Sequence, residues 1–128
     1  MLCIASEEVK EVLAHFGETV HMPPGAVLLE QGKPSTGIYL IVEGRVSTRV
    51  SMNQKPRVAE VGSLLGVPAT INGTPYSISA VASEDSTLIH VSKPQLIELM
   101  RSNPAVSFAI IELLSTEVRE MRVQLKKR

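Results

Sequence analysis

The sequence predicts a mainly β domain flanked by helices, built as a barrel or a sandwich. Three observations support this: short runs that alternate polar with apolar residues lie in the middle of the chain, Gly and Pro separate them, and helical spacing is confined to the two ends. With 128 residues, 44% of them hydrophobic, the chain is suited to one domain with its own core. The predicted parts are an N-terminal helix over 1–17, strands over 18–91 and helices over 92–128.

The first element is predicted to be a short amphipathic helix. Ser6 is a candidate N-cap, and Gly17 offers a left-handed stop at the other end. The apolar positions between them have helical spacing: Val9, Val12, Leu13 and Phe16.

The middle of the chain has the pattern of short strands. Residues 45–50 and 77–82 largely alternate polar with apolar, and residues 39–42 form a continuous apolar run. Residues 52–56 and the pair Asn72-Gly73 have the composition of turns between strands. Several short strands at this spacing are typical of a barrel or sandwich.

After Val91 the pattern returns to helix. Ser92 and Gln95 have the spacing of a capping box, which predicts that a helix begins there. Asn103 followed by Pro104 predicts the start of another helix, because Asn is a good cap and Pro is tolerated in the first turn.

The last helix is predicted to carry a heptad stripe, made of Ile111, Leu114, Val118, Met121 and Leu125. β-Branched residues at the a positions and unbranched ones at the d positions favour a parallel pair, so the sequence predicts a homodimer through this helix. Glu117 and Arg122 would then place opposite charges across the seam. In the alternative interpretation, the same stripe packs on its own domain.

Composition excludes several classes of protein. Thirteen basic and thirteen acidic residues give a net charge of zero, so no overall field attracts nucleic acid. The single cysteine, Cys3, rules out an intramolecular disulfide and fits a reducing compartment. The N-terminus lacks the basic segment and following apolar segment of a signal peptide. No apolar run approaches the roughly 18 residues of a membrane span. We therefore expect a cytoplasmic protein that has no membrane partner.

Two segments, 24–32 and 37–46, resemble the opening of the cyclic-nucleotide-binding domain family, in its branch of catabolite-activator and fumarate-nitrate-regulator-type effector domains. Glycines at strand corners, Gly25, Gly32 and Gly44, carry the resemblance together with the aromatic Tyr39. It implies a β-roll (a jelly-roll barrel, or double-stranded β-helix) of eight strands with a long C-terminal dimerisation helix. It also implies signal transduction in transcription regulation. Because the chain stops at Arg128 without a recognition helix, we expect no direct DNA binding by this chain.

The resemblance places a phosphate-binding cassette over residues 61–82. Members that bind cyclic AMP or cyclic GMP have a Gly-Glu pair there, and an Arg before a Ser or Thr. The matching pairs here are Gly62-Ser63 and Tyr76-Ser77. A serine cannot replace the carboxylate, and a tyrosine supplies neither charge nor a bidentate fork. Loss of the Arg pair alone should weaken a cyclic phosphate by about 10- to 150-fold. The implied ligand residues of this degenerate cassette are Gly62, Ser63, Leu64, Leu65, Tyr76 and Ser77.

Three occupants of the cassette stay open: a cyclic nucleotide, another small effector, or no ligand. We interpret Tyr76 as a side chain that fills the space a ligand would occupy. The apolar residues over 64–71 either belong to the core or line an apolar pocket. The leading hypothesis is a regulatory sensor module of bacterial transcription-regulator type. The alternative is a ligand-free homodimeric interaction scaffold.

No residues are assigned to catalysis or to a metal. The three histidines, His15, His21 and His90, do not form a His-x-His cluster with a carboxylate. The sequence also lacks a nucleophile elbow, a P-loop and a paired-carboxylate motif, so we predict that the protein is not an enzyme.

Overall fold

A computed structural model describes residues 3–4, 7–50 and 54–110 of the chain. Antiparallel sheets occupy its middle, and helices flank them, so the predicted fold class is confirmed. Several predictions concern residues outside the described ranges: the N-cap Ser6, the charge pair Glu117 and Arg122, and the dimer stripe Ile111, Leu114, Val118, Met121 and Leu125.

The strands form two sheets. Their bounds are β1 (Cys3–Ile4), β2 (Glu18–Met22), β3 (Val27–Leu29), β4 (Ile38–Glu43), β5 (Val46–Arg49), β6 (Arg57–Ala59), β7 (Ser63–Leu65), β8 (Ser79–Ala82) and β9 (Ser86–Val91). The first sheet has five strands in the order β1-β7-β4-β9-β2, and the second has four in the order β3-β8-β5-β6. Every pair of neighbouring strands is antiparallel.

A closed barrel was one of the predicted architectures, but the two described sheets do not close into one. In the described part of the chain, β1 and β2 border the first sheet and β3 and β6 border the second. Closure needs strand pairing that continues around the whole circumference. The arrangement is therefore two antiparallel sheets that share a core, as in a β-roll.

The inner strands of the first sheet, β7, β4 and β9, are buried on both faces because alternate residues enter different clusters. Leu40, Leu64 and Ile89 belong to a cluster with the helices. Leu65 and Leu88 belong to a second cluster with residues of the four-stranded sheet. The predicted cassette therefore lies where two parts of the core meet.

The predicted N-terminal helix forms as α1 (Glu7–Phe16), with Val9 and Leu13 buried and Phe16 exposed. The predicted left-handed stop at Gly17 is wrong, because Gly17 is not among the glycines with positive φ. A β-carbon on Gly17 would instead lie 2.4 Å from Ile89 Cγ2 and 2.9 Å from the His90 carbonyl oxygen. Glycine is needed here because the chain passes close against β9.

A second helix, α2 (Val67–Asn72), interrupts the strands. Asn72-Gly73 is therefore not a turn between two strands, as the sequence suggested, but the C-terminal end of this helix. Gly73 has φ of 68° and donates its N–H to the Ala69 carbonyl. A left-handed glycine ends helices as readily as it forms turns, so the local pattern did not distinguish the two.

Two helices follow β9, and both begin at the predicted caps. The capping box of Ser92 and Gln95 starts α3 (Lys93–Ser102). The next helix, α4, is described over 104–110, and the Asn103 side chain accepts a hydrogen bond from the Val106 N–H at 3.2 Å. Within the described ranges, no helix has the length and apolar character needed to cross a membrane.

Candidate functional site

The predicted cassette begins at a turn that leads into the first sheet. Gly62 donates its N–H to the Ile41 carbonyl at 2.9 Å, and Ser63 donates to the Glu60 carbonyl at 3.0 Å. β7 then pairs with β4 on one side and with β1 on the other. This short strand is held by backbone pairing along both edges.

Five of the six predicted site residues are buried: Gly62, Ser63, Leu64, Leu65 and Tyr76. Exposure is only 3% for Ser63 and 5% for Tyr76, whereas Ser77 is exposed. Leu65 and Tyr76 lie in the same cluster between the sheets, and Leu64 lies in the cluster under the helices. The structure thus brings Leu65 and Tyr76 together and leaves Ser77 at the surface.

The Tyr76 hydroxyl is hydrogen-bonded in the interior. It donates to the Gly37 carbonyl at 2.8 Å and accepts from the Thr36 N–H at 2.9 Å. Thr36 Oγ1 lies a further 3.3 Å from the same oxygen. The phenol therefore joins the cassette to the segment that precedes β4.

Backbone hydrogen bonds fasten the same two segments along their length. Gly32 donates its N–H to the Tyr76 carbonyl at 3.0 Å, and Tyr76 donates its own to the Lys33 carbonyl at 3.0 Å. The Gln31 amide group donates to the Ser77 carbonyl at 3.1 Å. Residues 31–37, which we call the strap, thus lie across Tyr76, held by both main chain and side chain.

The second tyrosine of this region, Tyr39, interacts with Tyr76. Burial raises the pKa of Tyr39, the nearby Tyr76 raises it further, and a hydrogen bond with Thr36 opposes this shift. Tyr39 is thus protonated at neutral pH, and its ring lies 4.8 Å from the His90 ring. None of the six predicted residues has a charged side chain. This arrangement can hydrogen-bond a ligand but supplies no formal positive charge to a phosphate.

Three residues of this region were missed by the sequence analysis as site residues. Thr36 and Gly37 bind the Tyr76 hydroxyl, and His90 Nε2 lies 3.2 Å from the Thr36 carbonyl oxygen. Gly37 was part of the family-like string, which is the signal that could have drawn attention to it. Its partner Tyr76 lies 39 residues away, so no local pattern predicts the contact.

The histidines lie apart, on α1, β2 and β9. Among the residues that the structure describes, no group of three or more His, Cys, Asp or Glu side chains is placed to hold a metal ion.

Tyr76→Phe is expected to lower the free energy of unfolding by about 1–3 kcal/mol, because it leaves the Gly37 carbonyl without its donor in the interior. Urea unfolding followed by circular dichroism measures this. Tyr39→Phe removes a hydroxyl from a neighbouring half-buried ring and should lower the free energy of unfolding by less than Tyr76→Phe does. Equal losses for the two variants would contradict a special role for the Tyr76 hydroxyl.

Comparison with known proteins agrees with this architecture. The model of the cyclic nucleotide-binding domain matches residues 19–103. The cyclic AMP receptor protein of Thermus thermophilus is 29% identical over 126 residues, which are 95% of this chain and 58% of that protein.

Solved structures show the same fold. The crystal structure of the Thermus thermophilus catabolite activator protein has a TM-score of 0.82 at 25% identity, over 94% of this chain and 59% of that one. A structure from work on a cyclic-GMP-dependent signalling pathway in bacterial phytopathogenesis has a TM-score of 0.87 at 21% identity, over 92% of this chain and 97% of that one. The chain thus spans less than two thirds of the Thermus thermophilus proteins that it matches.

Proposed function

Since the chain belongs to the cyclic nucleotide-binding domain family, we propose that it is a regulatory effector module whose nucleotide-binding groups have been replaced. We treat residues 1–128 as one such domain, which binds rather than catalyses. The observation that carries the proposal is Tyr76: it occupies the position where the family resemblance expects a phosphate-binding Arg, and it is buried with its hydroxyl bonded to the strap.

The burial of Tyr76 and Ser63 supports an altered ligand preference. A cyclic phosphate at this position would meet a neutral phenol whose donor already serves Gly37. It would therefore have to displace that hydrogen bond without gaining an ion pair. An effector with less charge fits the neutral site better than cyclic AMP or cyclic GMP does. The candidate contacts are Gly62, Ser63, Leu64, Leu65, Tyr76 and Ser77.

The packing of α2 supports a way to pass on a signal. Val67 shares a core cluster with Leu96 and Leu99 of α3 and with Ile110 of α4. A ligand that shifted β7 or α2 would therefore displace residues packed against the C-terminal helices. In the proposed mechanism, this moves the C-terminal segment, where the homodimer forms through Ile111 and the rest of its stripe.

By the same proposal, the module works in the cytoplasm as part of a regulator of bacterial type. Relatives of that type include a protein named for cyclic AMP reception. DNA contact would belong to another domain or partner, since the matched region is the effector domain.

The second candidate function is a ligand-free homodimeric scaffold. It is favoured by the hydrogen bonds of the Tyr76 hydroxyl, which all stay within the chain and tie the strap in one position. A domain locked in this way has one conformation and does not switch.

Thermal unfolding with cyclic AMP, cyclic GMP and haem, at two protein concentrations, separates the two functions. An effector module is expected to unfold at a higher temperature with one of these ligands, because a ligand that binds only the folded state stabilises it. The scaffold is expected to respond to protein concentration alone. A midpoint that moves with neither variable would contradict the scaffold and exclude these three compounds as effectors.

A further inference from the structure

A groove that contains none of the six predicted ligand residues lies between the second half of α2 and one face of α3. Its volume is about 260 Å³. The residues that line it are Thr70, Ile71, Lys93, Leu96, Ile97 and Met100. None of the six predicted cassette residues is among them.

The α3 wall of the groove is apolar along most of its length. Lys93, Leu96, Ile97 and Met100 follow one another at helical spacing, so they share one face of the helix. They span about 10 Å from Lys93 to Met100. Ile97 is 45% exposed, whereas its neighbour Leu96 is buried. This wall offers an apolar track with a cation at one end.

Neither polar side chain of the groove has a partner among the described residues. Lys93 makes no ion pair or hydrogen bond within the described part of the chain, and its Nζ lies 3.2 Å from the place a β-carbon on Gly73 would take. Thr70 Oγ1 is the buried side-chain polar atom that has no hydrogen-bond partner among the described residues. An unpaired buried hydroxyl is costly and uncommon in folded proteins.

We propose that this groove binds a small amphipathic carboxylate, with its alkyl chain along α3 and its carboxylate at Lys93. The Thr70 hydroxyl would donate to the carboxylate and so gain the acceptor it lacks. The charges are complementary: one ammonium and one hydroxyl suit a single negative charge. The volume is slightly below the 300–1,000 Å³ typical of sites for drug-sized ligands, so the ligand is small.

A phosphate monoester fits the groove less well than a carboxylate. It would bring nearly two negative charges beside a mainly apolar wall that offers one cation and no Arg fork. The six predicted ligand residues of the cassette are all uncharged, and none of them lines the groove. The proposal therefore does not depend on what the cassette binds.

Hexanoate and 1-hexanol are the probes that test the site, because they share an alkyl chain and differ in charge. In titrations followed by NMR on the full chain, hexanoate is expected to bind at least about ten times more tightly than 1-hexanol. Lys93→Gln should reduce hexanoate affinity to that of 1-hexanol and leave 1-hexanol affinity unchanged. Lys33→Gln, at an exposed lysine of the strap, is the matched control and should change neither.

Equal affinities for the two probes, or no perturbation of groove residues by either, would overturn the proposal. A loss of hexanoate affinity in Lys33→Gln as large as in Lys93→Gln would do so too, since it would show a general charge effect. Cyclic nucleotide binding, measured on the same Lys93→Gln protein, should be unaffected. This keeps the outcome for the groove distinct from the outcome for the cassette.

Thr70→Val tests the role of the hydroxyl. Because it removes an unpaired buried polar atom at nearly constant volume, it should raise the unfolding midpoint of the ligand-free protein. If Thr70 donates to the carboxylate, hexanoate affinity should fall several-fold in the same variant. A higher midpoint with unchanged hexanoate affinity would overturn the assignment of Thr70 to the site.

Discussion

The double variant Ser63→Glu, Tyr76→Arg is expected to bind cyclic AMP at least about ten times more tightly than the parent protein. The first change supplies a carboxylate for a ribose hydroxyl, and the second supplies a charged fork for the cyclic phosphate. A hydrogen bond to a charged group contributes about 1.5–3 kcal/mol, which corresponds to about 10- to 150-fold. Isothermal titration of both proteins with cyclic AMP measures the gain.

The same variant should be less stable than the parent without ligand. Both positions are almost fully buried, with 3% exposure for Ser63 and 5% for Tyr76. A new charge there loses solvation unless a partner is present. The unfolding midpoint is thus expected to fall without nucleotide and to recover when cyclic AMP is added.

Single variants identify which group matters. Tyr76→Arg alone should give most of the gain, and Tyr76→Lys should give less because an ammonium lacks the bidentate geometry of a guanidinium. If the folded double variant binds cyclic AMP no better than the parent, the interpretation of a site altered only in these two groups is wrong. The cassette would then be closed by its packing, which favours the scaffold.

Local signals predicted much of the fold. The capping box of Ser92 and Gln95 lies within four consecutive residues, so the sequence alone identifies it, and the structure confirms it. The glycines that the resemblance places at strand corners, Gly25, Gly32 and Gly44, have φ of 89°, 86° and 95°, which favours glycine. These features depend on neighbours in the chain, and a sequence pattern records such neighbours directly.

Features that depend on distant parts of the chain were not predictable in this way. Gly17 is required by its approach to β9, which is remote in sequence. Barrel closure depends on pairing between strand edges, and no single strand pattern specifies it. For the candidate site, the resemblance identified Tyr76 as the residue at the position of the family's Arg, but gave none of its contacts. Its hydrogen bonds to the strap became visible once the fold placed Gly37 beside it.

Gly37→Ala is expected to lower the free energy of unfolding by about 2–5 kcal/mol. Gly37 has φ of 142°, a conformation that residues with a β-carbon rarely adopt. A β-carbon would also come within 2.3 Å of the Val91 carbonyl oxygen and 2.8 Å of His90 Nε2. Because one of these atoms belongs to the backbone of β9, the strand itself would have to shift. Urea unfolding gives the free energy.

Gly32→Ala is the matched control, because it lies in the same strap, has φ of 86° and would meet no atom within 4 Å. Gly32→Ala should lower the free energy of unfolding only by the cost of placing alanine at a positive φ, about 1–2 kcal/mol. The difference between the two variants therefore measures the close approach to β9. Equal costs would mean that the strap can move away from β9 freely.

Gly37 also accepts the hydrogen bond from Tyr76, so the two positions should be coupled. A shift of the Gly37 backbone would lengthen this hydrogen bond, and Tyr76→Phe should then cost less in the Gly37→Ala background than in the parent. In the Gly32→Ala background, Tyr76→Phe should keep its full cost. Additive effects of Gly37→Ala and Tyr76→Phe would show that the approach to β9 and the Tyr76 hydrogen bond hold the strap independently. That result would contradict the expected coupling between the two positions.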